Sequence, residues 1–145
     1  MLTQLPGVGP FTALVLLGEI GDITRFGSAR KLASRVGLTP TVRGSDRTVH
    51  HGHISKQGPA WARWVLCEAA QTAKRHPDFA PGYDALARRR GKKIATTAVA
   101  RKLITRACHL LTDAVGRRRC AQLAGEGRQP RASSQNRMRR PCRAR

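Results

Sequence analysis

The chain is poor in acid. Eight Asp and Glu stand against 28 Lys and Arg among 145 residues, giving a formal net charge of +20. A surface so one-sided repels copies of itself and attracts anions, nucleic acid first among them. Aromatic residues are also scarce, at 4%. That excludes single-strand binding built on rows of stacking rings, because each stacked base needs its own planar partner. Contact with a phosphate backbone is the expectation left standing. No apolar run approaches the roughly 20 residues of a membrane span, and even the stretch 11–20 is broken by Gly18 and Glu19, so no membrane partner is expected. The first residues lack the basic and long apolar regions of a secretory signal. In the reducing compartment this implies, the four cysteines need no bridges. With no Cys-x-x-Cys pair and no Cys/His spacing of a zinc module, no metal site is expected in the chain.

The length suits one domain, and composition changes near Gly116. Residues 1–116 carry 18 basic and 7 acidic side chains, whereas 117–145 carry ten Arg and one Glu with only scattered apolar residues. Such a segment buries too little surface to offset its ordering entropy. The reading is a helical domain over 1–116 and a disordered, Arg-rich tail over 117–145. The tail either adds phosphate affinity or is an accidental extension of the reading frame, and composition leaves both open.

Within 1–116 apolar residues recur at helical spacing between Gly and Pro punctuation. The pattern predicts helices over 10–20, from Ser28 to a stop at Gly37, over 59–75, over 83–90 and over 93–115. The fold class is therefore mainly α. Residues 39–57 break the period, although 48–50 could pair as a short strand. A long irregular stretch in a small domain marks a functional loop more often than a passive connector.

Three constellations carry chemistry. Leu5-Pro6-Gly7-Val8-Gly9-Pro10 places two glycines just before a helix start, where positive φ, close approach and unpaired N–H groups suit a phosphate. It resembles a helix-hairpin-helix DNA-backbone module, with Gly7 and Gly9 as contacts; a plain helix-entry turn without a ligand is the lesser alternative. In the loop, Arg43, Ser45, Arg47, His50, His53 and Lys56 gather a hydroxyl, imidazoles and cations. Ser45 in that field suits attack at phosphorus, since nearby cations stabilise the developing alkoxide and the transition state; an ordinary turn serine is the alternative. Arg63, Lys74, Arg75, Arg88 to Arg90, Lys92, Lys93, Arg101, Lys102 and Arg106 then form a basic face on the later helices. Trp61 and Trp64, three apart on one helix, are expected as core anchors rather than stacking platforms.

The order of motifs is specific. Leu5-Pro6-Gly7-Val8-Gly9-Pro10, Gly18-Glu19-Ile20-Gly21-Asp22-Ile23, Gly37-Leu38-Thr39-Pro40, Ser45 and Gly52-His53-Ile54-Ser55-Lys56-Gln57-Gly58 follow one another. Over about residues 5–115 this chain resembles the C-terminal domain of the bacterial insertion-sequence transposase family numbered one hundred and ten. Its members join an RNase-H-like DEDD domain to this domain and are guided by a bridge RNA. The resemblance implies a serine nucleophile that forms a phosphoserine link to DNA, and Ser45 occupies its position. Asp46 stands where family members commonly carry Gly. It further implies Mg²⁺ held by the DEDD domain, whose acidic quartet has no counterpart among the scattered acids of this chain.

The expectation is thus a truncated transposase, cytoplasmic and nucleoid-associated. It binds DNA through Gly7, Gly9, Arg43, Arg47, His50, His53, Lys56 and Arg63, with guide RNA and full-length transposase protomers as further partners. Two alternatives stay open: a non-catalytic backbone-binding module, and a remnant of a decayed mobile element.

Overall fold

The computed structural model describes residues 1–45 and 48–126, with the backbone alone for Ser45, His51 and 118–126. It is mainly helical. A single 3-10 turn, Leu2–Gln4, precedes α1 (Pro10–Ile20). A second such turn, Ile23–Arg25, leads to α2 (Ala29–Arg35), a two-stranded hairpin of β1 (Pro40–Ser45) and β2 (Thr48–Ile54), then α3 (Ala60–Ala73), α4 (Ala80–Arg90) and α5 (Lys92–Glu126).

Local chemistry sets the helix ends. Pro10 starts α1 at the position where a missing N–H costs nothing. The Ser28 hydroxyl accepts from the Lys31 amide at 3.3 Å and starts α2. Gly37 closes α2 at φ +77°, with the Leu38 amide reaching back to the Ala33 carbonyl at 3.1 Å, the wrap that satisfies helix-end carbonyls. The Asp22 carboxylate accepts from the Thr24 amide at 2.9 Å and caps the second 3-10 turn.

The core forms where α5 packs against α2, α3 and α4, with α1 laid on α3. Leu16, Leu32, Leu66, Leu103 and Ile104 are fully buried in it. Each removes roughly 1.5–3 kcal/mol of apolar surface energy from water. On α3 the inward face is mostly small: Ala62, Val65, Leu66, Ala69, Ala70 and Ala73. That lets the chain before α1 come very close, and a Cβ on Gly7 would lie 2.3 Å from the Ala69 carbonyl oxygen.

Three expectations need correction. Residues 39–57 are not irregular but mostly an antiparallel hairpin, joined at Ser45↔Thr48 and irregular between Pro40 and Val42. Its period is hidden because both faces are exposed, so no alternation of apolar and polar residues is required. Trp61 and Trp64 are not core anchors: they are 64% and 50% exposed, because the alanine-rich side of α3 already faces the core. Finally, α5 continues past the composition change at Gly116 to Glu126. Residues 127–145 of the expected tail lie outside the described residues.

The hairpin has little core of its own, so its direction is set at its base. There Gly58, at φ +97°, presses on the end of α2, and a Cβ would fall 1.8 Å from the Arg35 carbonyl oxygen. Gly58→Ala is therefore expected to cost about 2–4 kcal/mol of folding stability. Gly116→Ala, on an open helical surface, should add about 0.5–1 kcal/mol. Denaturant unfolding of the two variants checks both signs, and a Gly58→Ala protein as stable as the parent contradicts the packing.

Candidate nucleic-acid interface

The hairpin register sorts the loop residues by face. Partners opposite one another share a face, and successive residues alternate. Ser45↔Thr48 and Arg43↔His50 are paired, so the register positions of Ser45, Arg43, Thr48 and His50 fall on one side. Gly44↔Val49 and Val42↔His51 fall on the other, where Val42 and Val49 are more than half exposed. The strand pairing thus gathers the hydroxyl-bearing, guanidinium and imidazole positions that the sequence suggested.

Ser45 is the last residue of β1. Five residues beyond Pro40, at a rise of about 3.3 Å each, it stands about 17 Å along the arm from the base. Arg43 and His50 are solvent-exposed. Arg47, and Asp46 beside it, lie outside the described residues. His53 and Lys56 are exposed near the other end of the hairpin, away from the tip. Lys56 adopts φ +54°, where the chain turns from β2 toward α3. Its amide donates to the Gly37 carbonyl at 3.2 Å, and the Ser55 amide to Thr39 at 2.9 Å.

Arg63 has a different use. One nitrogen, Nη1, donates to the Val36 carbonyl at 3.2 Å and the Lys56 carbonyl at 3.1 Å, tying the end of α2 and the end of the hairpin to α3. Arg106 is likewise engaged: it pairs with Asp78 at 2.9 Å and lies over the Phe79 ring at 4.4 Å. Lys74 sits over the Tyr83 ring at 5.5 Å. Part of the basic face is therefore internal bracing rather than free charge.

Gly7 is also bracing. Its φ of +77° and its contact with the α3 backbone explain the glycine without a phosphate. Gly9, the N-cap of α1, has open space around its Cα. Among the described residues no group of three or more His, Cys, Asp or Glu could hold a metal ion, and no helix is long and apolar enough to cross a membrane. Burial pushes the Cys67 thiol above its ordinary value, with the Arg63 charge opposing and Glu68 adding to the rise. It is a poor nucleophile in consequence.

Sequence reading missed what the exposed tryptophans do to the surface. Trp61 and Trp64 meet edge to face, 5.7 Å between centroids at 86°. It also missed an apolar-floored cleft at the hairpin base, lined in part by Ile94 and Ala98. The available signal was that Ile94 is out of step with the buried α5 positions 95, 99 and 103.

Comparisons with known proteins place these elements in context. Residues 1–84, which include the whole hairpin and α3, match the profile described as Transposase IS116/IS110/IS902 family. An uncharacterized 43.6 kDa protein of insertion element IS110 from Streptomyces coelicolor is 47% identical over 58 residues, 40% of this chain and 14% of the relative. An uncharacterized 44.8 kDa protein of insertion element IS116 from Streptomyces clavuligerus is 29% identical over 111 residues, 77% of this chain and 27% of the relative. The transposase for insertion sequence element IS1111A from Coxiella burnetii is 34% identical over 104 residues, 68% of this chain and 29% of the relative. The chain therefore spans less than a third of the length of each.

The two kinds of arginine separate by experiment. Arg63→Ala should lose about 1–3 kcal/mol of stability, since two carbonyls lose a charged donor. Arg43→Ala, on the exposed arm, should stay within about 0.5 kcal/mol of the parent. Thermal unfolding distinguishes them, and equal losses would contradict the bracing role.

Proposed function

The chain belongs to the Transposase IS116/IS110/IS902 family, and we propose that it is the DNA-binding, serine-bearing C-terminal domain of such a transposase. The observation that carries this reading is the register of the hairpin. It sets Ser45 at the tip of an exposed arm, in line with Arg43 and across from Thr48, with His50 opposite Arg43. An exposed arm in a chain of net charge +20 is suited to reach a phosphate that the chain attracts.

The chemistry is a transesterification. The Ser45 oxygen attacks a DNA phosphorus as its proton passes to water, one bridging P–O bond breaks, and the departing sugar oxygen takes up a proton. The phosphodiester survives as a seryl ester, which a strand-end hydroxyl can reverse. Arg43, about 7 Å along the strand from Ser45, would hold a non-bridging oxygen and offset the charge gathered on phosphorus. His50 and Lys56 would add contacts to flanking phosphates. Mg²⁺, supplied with acidic residues of a DEDD domain, would neutralise the phosphate further. Guide RNA and other transposase protomers are partners under the same reading. The alternative of a backbone-binding module centred on Gly7 is disfavoured by the packing of that residue on α3.

Incubation with cognate DNA, Mg²⁺ and the DEDD domain of a family member should yield a protein–DNA adduct that survives denaturing electrophoresis. Ser45→Ala should abolish it, and Ser55→Ala should not. An adduct that persists in Ser45→Ala contradicts the assignment.

A further inference from the structure

Beside the hairpin base lies a cleft of about 610 Å³. Its floor is apolar, made by Leu38 and Ile54 on the hairpin side and by Ile94 and Ala98, one turn apart on α5. Ile94 is half exposed there, an aliphatic side chain that the fold leaves uncovered. The rim is cationic: Arg90 ends α4, and Lys93, Arg101 and Lys102 project from α5. Among the described residues no Asp or Glu lines the cleft, and none of the four cations takes part in an ion pair. The volume falls within the roughly 300–1,000 Å³ typical of ligand-sized sites.

Floor and rim ask for different things. A ligand that is only phosphate has no use for four aliphatic groups, and a purely apolar ligand has no use for four uncompensated charges. In a duplex the base faces are stacked away and the backbone alone is offered. A nucleotide out of its stack offers both an apolar ring face and two flanking phosphates.

We propose that the cleft between the hairpin base and α5 holds an unpaired nucleotide of a nucleic-acid strand. Its base lies against Leu38, Ile54, Ile94 and Ala98, and its phosphates lie on Arg90, Lys93, Arg101 and Lys102. The proposal rests on the reading of the chain as a nucleic-acid binder and goes beyond it in naming where a strand loses its pairing. The grip is aliphatic rather than aromatic, so it does not depend on the few rings in the sequence. It also sits at the base of the arm whose tip carries Ser45, so that one strand would be held at one end of the hairpin and approached at the other.

The test uses the full chain and fluorescence anisotropy at one fixed salt concentration. The probes are a deoxythymidine strand of about 20 nucleotides, an abasic deoxyribose-phosphate strand of equal length, a ribose strand and a duplex. The base-bearing strand should bind about tenfold tighter than the abasic one, because the charge is equal and only the buried ring differs. Ala98→Phe, which fills the floor, should bring that ratio close to one while duplex affinity stays within about twofold. Ile94→Ala, at a surface position that tolerates change, should lower the ratio in the same direction, and circular dichroism confirms that both variants are folded. A parental ratio near one overturns the proposal, as does a ratio that both variants preserve. Failure of the parent to bind duplex would instead sink the DNA-binding reading, and is scored separately. Tighter binding of the ribose or of the deoxyribose strand tells which nucleic acid supplies the nucleotide.

Discussion

Everything that can act on a ligand in this protein hangs on one junction of backbone against backbone. The end of α2, the exit of the hairpin and the entrance to α3 meet with so little space that two positive-φ glycines are required: a Cβ on Gly37 would lie 2.2 Å from the Gln57 carbonyl oxygen, and one on Gly58 still closer to Arg35. Arg63 spans the seam from α3 and satisfies carbonyls on both approaching segments. An exposed two-stranded arm is marginal alone, because it buries almost nothing. Its aim is inherited from this seam, and through α3 from the core around α5.

The charge excess acquires meaning only when sorted by use. Arg63, Arg106 and Lys74 spend their cations on carbonyls, a carboxylate and rings inside the fold. Arg90, Lys93, Arg101 and Lys102 rim an open cleft, and Arg43 stands on the arm. The first group shapes the scaffold; the second is available to phosphate. Arg88 to Arg90 have a further local reason to be where they are, since they close α4 at the negative end of its dipole. Net charge alone draws a polyanion near, but only the geometry of the second group decides where it lies.

Legibility followed the physics of punctuation and burial. α1, α2 and α3 were readable because Pro10, Ser28, Gly37 and Pro59 mark their ends chemically and the buried residues between recur at helical spacing. The hairpin was not, because strand alternation is visible only when one face is buried, and here neither is. Trp61 and Trp64 misled for a related reason: size suggests burial, yet the α3 core face is filled by alanines that let neighbouring backbones approach. Ser45, Arg43 and His50 were legible as a set of residue types near one another in sequence. That three of their positions share a face needed the register of the two strands. Of the cleft only Ile94, out of step with the buried positions of α5, left a trace in the sequence, since the cleft joins residues 38 and 54 to 94 and 98.

The central claim is that the hairpin face holding Arg43, Ser45, Thr48 and His50 is the surface that meets DNA. Photocrosslinking to a duplex substituted with bromodeoxyuridine, followed by mass spectrometry of the attached peptides, tests it directly. Crosslinked peptides should come from residues 41–54. Crosslinks confined to the exposed apolar side of α1, at Phe11 and Leu14, or to Trp61 and Trp64 would contradict it.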